Sequence, residues 1–181
     1  QMGLIGTGNF AGYLFAVLIS GSMVKYLGAK WLIFLALNVV GLTMILSSLS
    51  EAFEHLLLMY TLTGIGSGAS NVPIMALISS WFVSRLRGFA AGIIVSGSGF
   101  AILITGRLIP FLNEVSEPLQ GWRTSWLVLG IVVILVAFLC LLIIRDKPEQ
   151  VGLKQVGVKN NGDSTITTGI QKETSISSIY R

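Results

Sequence analysis

The stretch LIGTGNFAGYLFAVLISG, residues 4–21, decides the fold, because its glycines suit two different structures. Gly6, Gly8 and Gly12 stand close to the spacing of a dinucleotide-binding loop, and that interpretation would make the chain a soluble oxidoreductase. Such a loop needs a preceding strand, a following amphipathic helix and an acidic residue about 20 positions further on. Here the following residues are apolar on all sides, and the first acidic residue is Glu51. The dinucleotide interpretation therefore fails, and we predict a membrane helix.

The composition of the chain indicates that it lies in a lipid bilayer and not in water. Of 181 residues, 53% are hydrophobic and 11% are charged, and the mean hydropathy is +0.81, whereas soluble domains carry about 25% charged residues. The net charge is +4, but the basic residues are dispersed, so we predict no nucleic-acid partner. Cys140 is the only cysteine and lies in an apolar run, which excludes a disulfide within the chain and a cysteine-rich metal site. We predict no cofactor.

Five long apolar stretches organise the chain. A membrane helix needs about 20 largely apolar residues, and a backbone in lipid must satisfy its own hydrogen bonds. None of the stretches alternates as a barrel strand would. We therefore predict an all-α, polytopic membrane helical bundle over residues 1–145, followed by a polar, flexible segment over 146–181 with either a regulatory role or none. The predicted spans are about 2–24, 31–49, 53–82, 88–112 and 124–144.

Glycines four residues apart recur in these spans, and they predict close packing of helices. Such a pair leaves a groove in which a neighbouring backbone approaches closely. The glycine pairs are Gly8 and Gly12, Gly64 and Gly68, and Gly88 and Gly92.

The start of the sequence predicts a fragment. The chain opens with QMGLIG, with no basic segment and no cleavage site of a signal peptide. An apolar span that starts at the first residue suggests that something precedes it, so we expect a fragment.

The charged residues between the spans predict an orientation. Lysine and arginine concentrate in alternate connections, and the positive-inside rule makes those connections cytoplasmic. We expect a multi-pass protein of the cell membrane with the loops at 25–30 and 83–87 and the C-terminal segment in the cytoplasm. The cytoplasmic group is Lys25, Lys30, Arg85, Arg87, Arg145, Lys147, Lys154 and Lys159, and the outer group is Glu51, Glu54, His55, Glu114, Glu117 and Arg123.

Several short landmarks, in order, resemble the N-terminal half of a major facilitator superfamily transporter without its first helix. GSMVKYLGAK (21–30) is similar to the signature loop between helices two and three, Gly-x-Leu-Ala-Asp-Arg-x-Gly-Arg-Arg or Lys, and Gly21, Gly28 and Lys30 fit it. YTLTGIG (60–66) resembles the helix-four signature Arg-x-x-x-Gly-x-Gly. SSWFVSRLRGFAAGIIVSGSGF (79–100), GWR (121–123) and RDKPEQVGLK (145–154) are most similar to the monocarboxylate and oxalate/formate branch.

The resemblance covers roughly residues 3–154 and makes the spans helices two to six. It implies a solute site near the bilayer midplane between two six-helix halves, which rock between inward-open and outward-open states. The partners would be the lipid bilayer, a small-molecule solute, and helix one and the C-terminal half of the same protein. Charged positions of the family pattern differ here. Lys25 stands at the acidic position of the loop, Tyr26 at the basic position that follows it, and Tyr60 at the helix-four arginine, so none of these charge roles is transferred.

The resemblance places helices one, two, four and five at the cavity, so polar residues on the first, third and fourth spans are its candidates. Arg107 could attract an anionic solute, because a charge within a span costs about 2.5 to 3.5 kcal/mol and tends to face water or a partner. Equally, it lies just before Pro110 and could extend to the outer interface. The other candidates are Asn9, Tyr13, Tyr60, Asn71 and Ser96, each of which could instead serve helix packing.

Three functions compete at this point. The first is a secondary transporter that moves a small solute, with an organic anion such as a monocarboxylate favoured. The second is a membrane-embedded enzyme, which would need clustered nucleophiles, metal ligands or paired carboxylates. The chain has one histidine, one cysteine and no acidic residue in the interior of any span. The third is a non-transporting membrane scaffold. The sequence favours the transporter.

Overall fold

Five long helices make up the computed structural model, which describes residues 2–115, 121–153 and 155–157. Each corresponds to a predicted span, and the prediction of an all-α membrane bundle is confirmed. The helices are α1 (Met2–Leu27), α2 (Ala29–Ser48), α3 (Phe53–Trp81), α4 (Ser84–Val115) and α5 (Gly121–Ile143), and a short 3-10 turn follows at Pro148–Val151.

Within the described ranges, four helices are long and apolar enough to cross a membrane, namely α1, α2, α4 and α5. The remaining helix, α3, has 29 residues, but glycine, serine, threonine and asparagine dilute its apolar stretch. Its neighbours explain this composition. α3 lies between α1 and α2 and packs along both, so Thr63 and its small residues Gly64, Gly66 and Gly68 are buried against protein.

Glycines bring α1 and α3 into close contact, as their spacing predicted. A Cβ atom added to Gly12 would lie 2.5 Å from the carbonyl oxygen of Thr61, and one added to Gly8 would lie 2.7 Å from its hydroxyl oxygen. From the opposite side, a Cβ atom on Gly64 or Gly68 would overlap the backbone carbonyls of α1. The two glycine pairs therefore face each other's helix. The third predicted pair, Gly88 and Gly92, has no heavy atom within 4 Å of the added Cβ.

A second crossing joins α2 to α5 in the same way. Gly41 and Gly130 each lie against the carbonyl oxygen of the other, with the added Cβ atoms 2.9 and 2.8 Å away. Gly66 of α3 packs on the backbone of α2 at Ala36. The helices thus form a tightly packed row in the order α1, α3, α2, α5. This row is the framework on which the polar side chains are held.

The fourth helix, α4, stands apart from this row. It contacts α5 and α3 along only a small part of its length, and every side chain from Gly92 to Ile104 is exposed. Its attachments are near its ends. Arg87 donates from Nε and Nη2 to the carbonyls of Phe82 and Ser79, and Asn113 packs against Gly121 of α5.

The connections between helices separate the charges by end. At one end, Trp81 donates a hydrogen bond to the carbonyl of Arg145, and Gly28 lies against Asp146. At the other end, Arg123 donates to the carbonyl of Ser50 over 3.0 Å. Glu117, Lys154 and Lys159 lie outside the described residues. The end that we call the basic end carries Lys25, Lys30, Arg85, Arg87, Arg145 and Lys147, and the opposite end carries Glu51, Glu54, His55, Glu114 and Arg123.

Candidate solute-binding face

Two cross-helix hydrogen bonds run between α1 and α3, and we call their four residues, Asn9, Tyr13, Tyr60 and Asn71, the polar seam. Asn9 donates from Nδ2 to the backbone carbonyl of Tyr60 over 2.8 Å and is half-buried. Asn71 donates from Nδ2 to the hydroxyl oxygen of Tyr13 over 2.9 Å. Asn9 and Tyr13 are four residues apart and so share one face of α1. Four of the six predicted cavity residues therefore form two pairs across the contact between α1 and α3.

The pair of Tyr13 and Asn71 keeps hydrogen-bonding capacity beyond its mutual bond. Asn71 is exposed and Tyr13 is half-buried. Since the Tyr13 oxygen accepts from Asn71, its own proton remains available for donation, and the carboxamide oxygen of Asn71 remains available as an acceptor. Phe10, one turn away, stacks on the Tyr13 ring with centroids 6.4 Å apart. A polar pair beside an aromatic surface can bind a small organic molecule.

Tyr60 contributes its backbone and its ring to different contacts. Its carbonyl accepts from Asn9, and its ring meets Trp126 of α5 edge to face, with centroids 5.4 Å apart. A cavity of about 340 Å³ lies beside these rings, between α1, α3 and α5. It is lined by Ile5, Gly6, Leu56, Tyr60, Trp122 and Trp126. Tyr60 thus links the polar seam to an aromatic cavity near the opposite end.

The two candidates on α4 lie outside the polar seam. Ser96 is exposed and donates its hydroxyl proton to the carbonyl of Ile93 in its own helix over 2.7 Å. Arg107 is exposed. In the part of the chain that the structure describes, its guanidinium has neither a hydrogen-bond partner nor an ion-pair partner. Among the described residues, Arg107 is therefore a cation without a partner, close to the apolar middle of α4.

The loop residues Gly21, Gly28 and Lys30 lie at or near the basic end. Gly21 is exposed and has open space around it. Gly28 is the single residue between α1 and α2 and has a φ of +79°, which favours glycine. The backbone amide of Lys30 donates to Oδ1 of Asp146 over 2.7 Å. The loop is thus held by an acidic residue 116 positions further along the chain.

Sequence reasoning missed two polar contacts. The hydroxyl oxygens of Thr43 in α2 and Thr63 in α3 lie 2.8 Å apart, and both residues are buried. Threonines are common in membrane helices and bond to their own backbone, so nothing in the sequence marked this pair. The second is Asp146, which the resemblance placed only in an exit segment. The sequence indicates this contact only indirectly. Gly28, the residue before α2, has no side chain that could cap the helix, so a cap can come only from another segment.

Comparison with known proteins agrees with this architecture. The family model of the Major Facilitator Superfamily matches residues 1–177. Over 86% of its length, the chain is 26% identical to a probable hexose phosphate transport protein of Chlamydia trachomatis, and over 83% it is 26% identical to a hexuronate transporter of Bacillus subtilis. It covers 33% and 35% of these two relatives, about a third of their length.

A third relative comes from a mammal. The monocarboxylate transporter 12 of Rattus norvegicus is 35% identical over 88 residues, which are 48% of the chain and 17% of the relative. These relatives are transporters by name, and the family match extends over nearly all of the chain. The chain belongs to the major facilitator superfamily, as a multi-pass membrane protein.

Proposed function

We propose that the chain is part of a secondary transporter that moves a small organic anion, such as a monocarboxylate, by alternating access. Membership of the family supports a transporter of small solutes. The solute class is supported by the names of three relatives, which are transporters of hexose phosphate, hexuronate and monocarboxylate. All three named solutes are anions at neutral pH. An anion needs a cation or hydrogen-bond donors in its site.

The observation that carries the proposal is the pair of half-buried Tyr13 and exposed Asn71. A polar group that lies in hydrocarbon without a hydrogen-bond partner costs roughly several kcal/mol of free energy. Polar groups within membrane spans therefore face water, a ligand or a protein partner. Here a hydroxyl proton and a carboxamide oxygen remain available on two helices that the family resemblance assigns to the cavity. They would orient the solute, and hydrogen bonds of this kind contribute about 1 kcal/mol each.

Arg107 would supply the attraction for the anion. It lies on α4, which the resemblance also assigns to the cavity, and its guanidinium is exposed and without a partner among the described residues. A hydrogen bond to a charged group contributes about 1.5 to 3 kcal/mol. Ser96, which lies eleven residues before Arg107 on α4, would line the path. The Gly21–Lys30 loop would lie at the basic end, on the cytoplasmic side, where it would accompany the rocking motion.

Further segments of the same protein would complete the site. The exposed face of α4 from Gly92 to Ile104 is apolar and rich in small residues, and it would pack against helix one and the C-terminal half. The chain spans about a third of its relatives, and a site between two halves needs both. We therefore expect residues 1–181 alone to show no uptake.

Uptake of labelled carboxylates into vesicles that contain the full-length protein tests the proposal. We compare Arg107→Ala with Arg107→Lys and with Arg85→Ala, an exposed arginine at the basic end. Loss of the guanidinium should raise the KM for the anion at least about tenfold, in line with the loss of a charge-assisted bond. Arg107→Lys should retain part of the affinity, and Arg85→Ala should keep all of it.

Three results would contradict the proposal. Unchanged uptake and affinity in Arg107→Ala would remove Arg107 from the site. If a panel of carboxylates, sugar phosphates and neutral sugars showed no uptake by the wild-type protein, the non-transporting scaffold would be favoured instead. Equal loss of uptake in all three variants, with less folded protein, would mean that the arginines act on stability and not on the anion.

A further inference from the structure

The chain does not leave the bundle where α5 ends. Residues 145–153 and 155–157, which we call the strap, run back across the basic end. The carbonyl of Arg145 accepts a hydrogen bond from Nε1 of Trp81 over 2.9 Å, and the carbonyl of Asp146 accepts one from the hydroxyl of Ser80 over 3.1 Å. The strap is therefore attached to α3 from its first residue.

The far part of the strap is attached beside the turn between α3 and α4. The amide of Val156 donates to the carbonyl of Trp81 over 2.8 Å, and the amide of Val83 donates to the carbonyl of Val156 over 3.2 Å. Gly157 fits closely against Val83 and Leu86, since an added Cβ would lie 2.7 Å from a side-chain carbon of each. These contacts hold the strap at the start of α4.

One side chain attaches the strap to α2. Helix α2 begins after Gly28, which has no side chain to satisfy the free backbone amides of the first turn. Asp146 does so from the strap, because its Oδ1 accepts from the amide of Lys30 over 2.7 Å. A Cβ added to Gly28 would lie 3.0 Å from Oδ2 of Asp146. Glycine at position 28 thus leaves room for the carboxylate that caps the helix.

We propose that Asp146 is a latch that fastens the strap to α2, so that the basic ends of α2, α3 and α4 move as one unit with the exit of α5. Without the latch, the strap would be attached to α3 and α4 only. With it, any displacement of the chain beyond Gly157 acts on α2 as well as on α3, α4 and α5. This inference concerns motion within the bundle and does not depend on which solute is carried.

Hydrogen exchange measured by mass spectrometry on the full-length protein in lipid nanodiscs tests the latch. Three backbone amides report on it: Lys30 on the cap, and Val83 and Val156 on the attachment to the α3–α4 turn. We compare Asp146→Ala with Asp146→Asn, whose side-chain oxygen can still accept, and with Glu149→Ala. Glu149 is an exposed acidic residue of the same strap and serves as the matched control.

In Asp146→Ala, hydrogen exchange should be about fivefold faster or more in each peptide that contains Lys30, Val83 or Val156. The stability that a capping side chain gives to a helix terminus accounts for a change of this size. Asp146→Asn should restore most of the protection, and Glu149→Ala should leave it unchanged. Protection in Asp146→Ala equal to that of the wild type would overturn the proposal. So would faster exchange at Lys30 alone, because Asp146 would then cap α2 without holding the strap.

A second variant keeps the test decisive if Asp146→Ala does not yield folded protein. Trp81→Phe removes the indole donor to the carbonyl of Arg145 and keeps the aromatic ring. If the strap is one unit, this change should also speed exchange at Lys30, which lies on a different helix. Faster exchange at Val156 with Lys30 unaffected would contradict a shared latch.

Discussion

Gly64 of α3 packs directly against a backbone carbonyl of α1, in the space that the Cβ atom of any other residue would occupy. This one residue therefore allows the two helices to approach closely. Its spacing to Gly68 predicted a groove, and the structure confirms it. The partner could not be predicted, because a glycine pair indicates that a helix approaches closely without indicating which helix. Gly88 and Gly92 have the same spacing and meet nothing within 4 Å. Glycine spacing alone therefore does not identify a contact.

The first prediction compares two glycines of α1. Gly12→Ala places a methyl group 2.5 Å from the carbonyl oxygen of Thr61, whereas Gly6→Ala meets no atom within 4 Å. Overpacking of this kind costs about 1 to 3 kcal/mol, so Gly12→Ala should lower the melting temperature of the detergent-solubilised protein. Gly6→Ala should be neutral or slightly stabilising, since alanine favours helix. Equal melting temperatures for both variants would show that α1 and α3 do not pack as described.

The second prediction separates solute contact from helix packing at Tyr13. Tyr13→Phe removes the acceptor of the Asn71 amide and the free hydroxyl proton. Interhelical hydrogen bonds in membranes contribute only about 0.6 kcal/mol on average, so the melting temperature should change little. The KM for a transported carboxylate should rise about fivefold, as expected for one lost hydrogen bond.

Tyr26→Phe, an exposed tyrosine of the same helix, is the control and should change neither quantity. A Tyr13→Phe variant with a lower melting temperature and an unchanged KM would assign the pair to packing alone. At this residue the sequence predicted the polar side chains and their shared face. It could not predict the partner in α3, because residues 58 positions apart meet only through the fold.

At the scale of elements, the positions of the helices were predicted well and their packing was not. The five predicted spans match the five helices to within a few residues, because long apolar runs leave few alternatives in lipid. The order of the row, with α3 between α1 and α2, depends on glycine crossings and on buried hydroxyls such as Thr43 and Thr63. Hydropathy does not contain this information.

The third prediction concerns the ability of α3 to insert by itself. The other four helices have mean hydropathies of 1.5 to 3.3 over their most apolar windows. Helix α3 is not apolar enough to count with them as a candidate membrane span. In a glycosylation-mapping host protein, α5 should insert almost completely and α3 only in a minor fraction. Replacing Gly64 and Gly68 by leucine should favour insertion by about 1 kcal/mol. Complete insertion of wild-type α3 alone would contradict the view that its neighbours keep it in the membrane.

At the scale of the whole molecule, the alternation of charged connections predicted which residues share an end. Lys25 and Arg85 are 60 positions apart, yet the bundle places both at the basic end. Which candidates bind the solute stays a prediction. The polar seam holds two hydrogen-bonded pairs, Asn9 with Tyr60 and Tyr13 with Asn71, whereas Ser96 and Arg107 stand on the exposed part of α4, where Ser96 bonds to its own helix. The latch at Asp146 was not predicted, because a cap supplied from a distant segment leaves no local pattern.

The central claim is that the connections alternate across a membrane, with the basic end in the cytoplasm. Single cysteines at positions 25, 85, 149 and 51, each introduced in a Cys140→Ala background, test it by labelling intact cells with a membrane-impermeant maleimide. We predict that the cysteine at 51 reacts in intact cells, and that those at 25, 85 and 149 react only after the membrane is opened. Reaction of the cysteines at 25 and 85 from opposite sides would contradict the account.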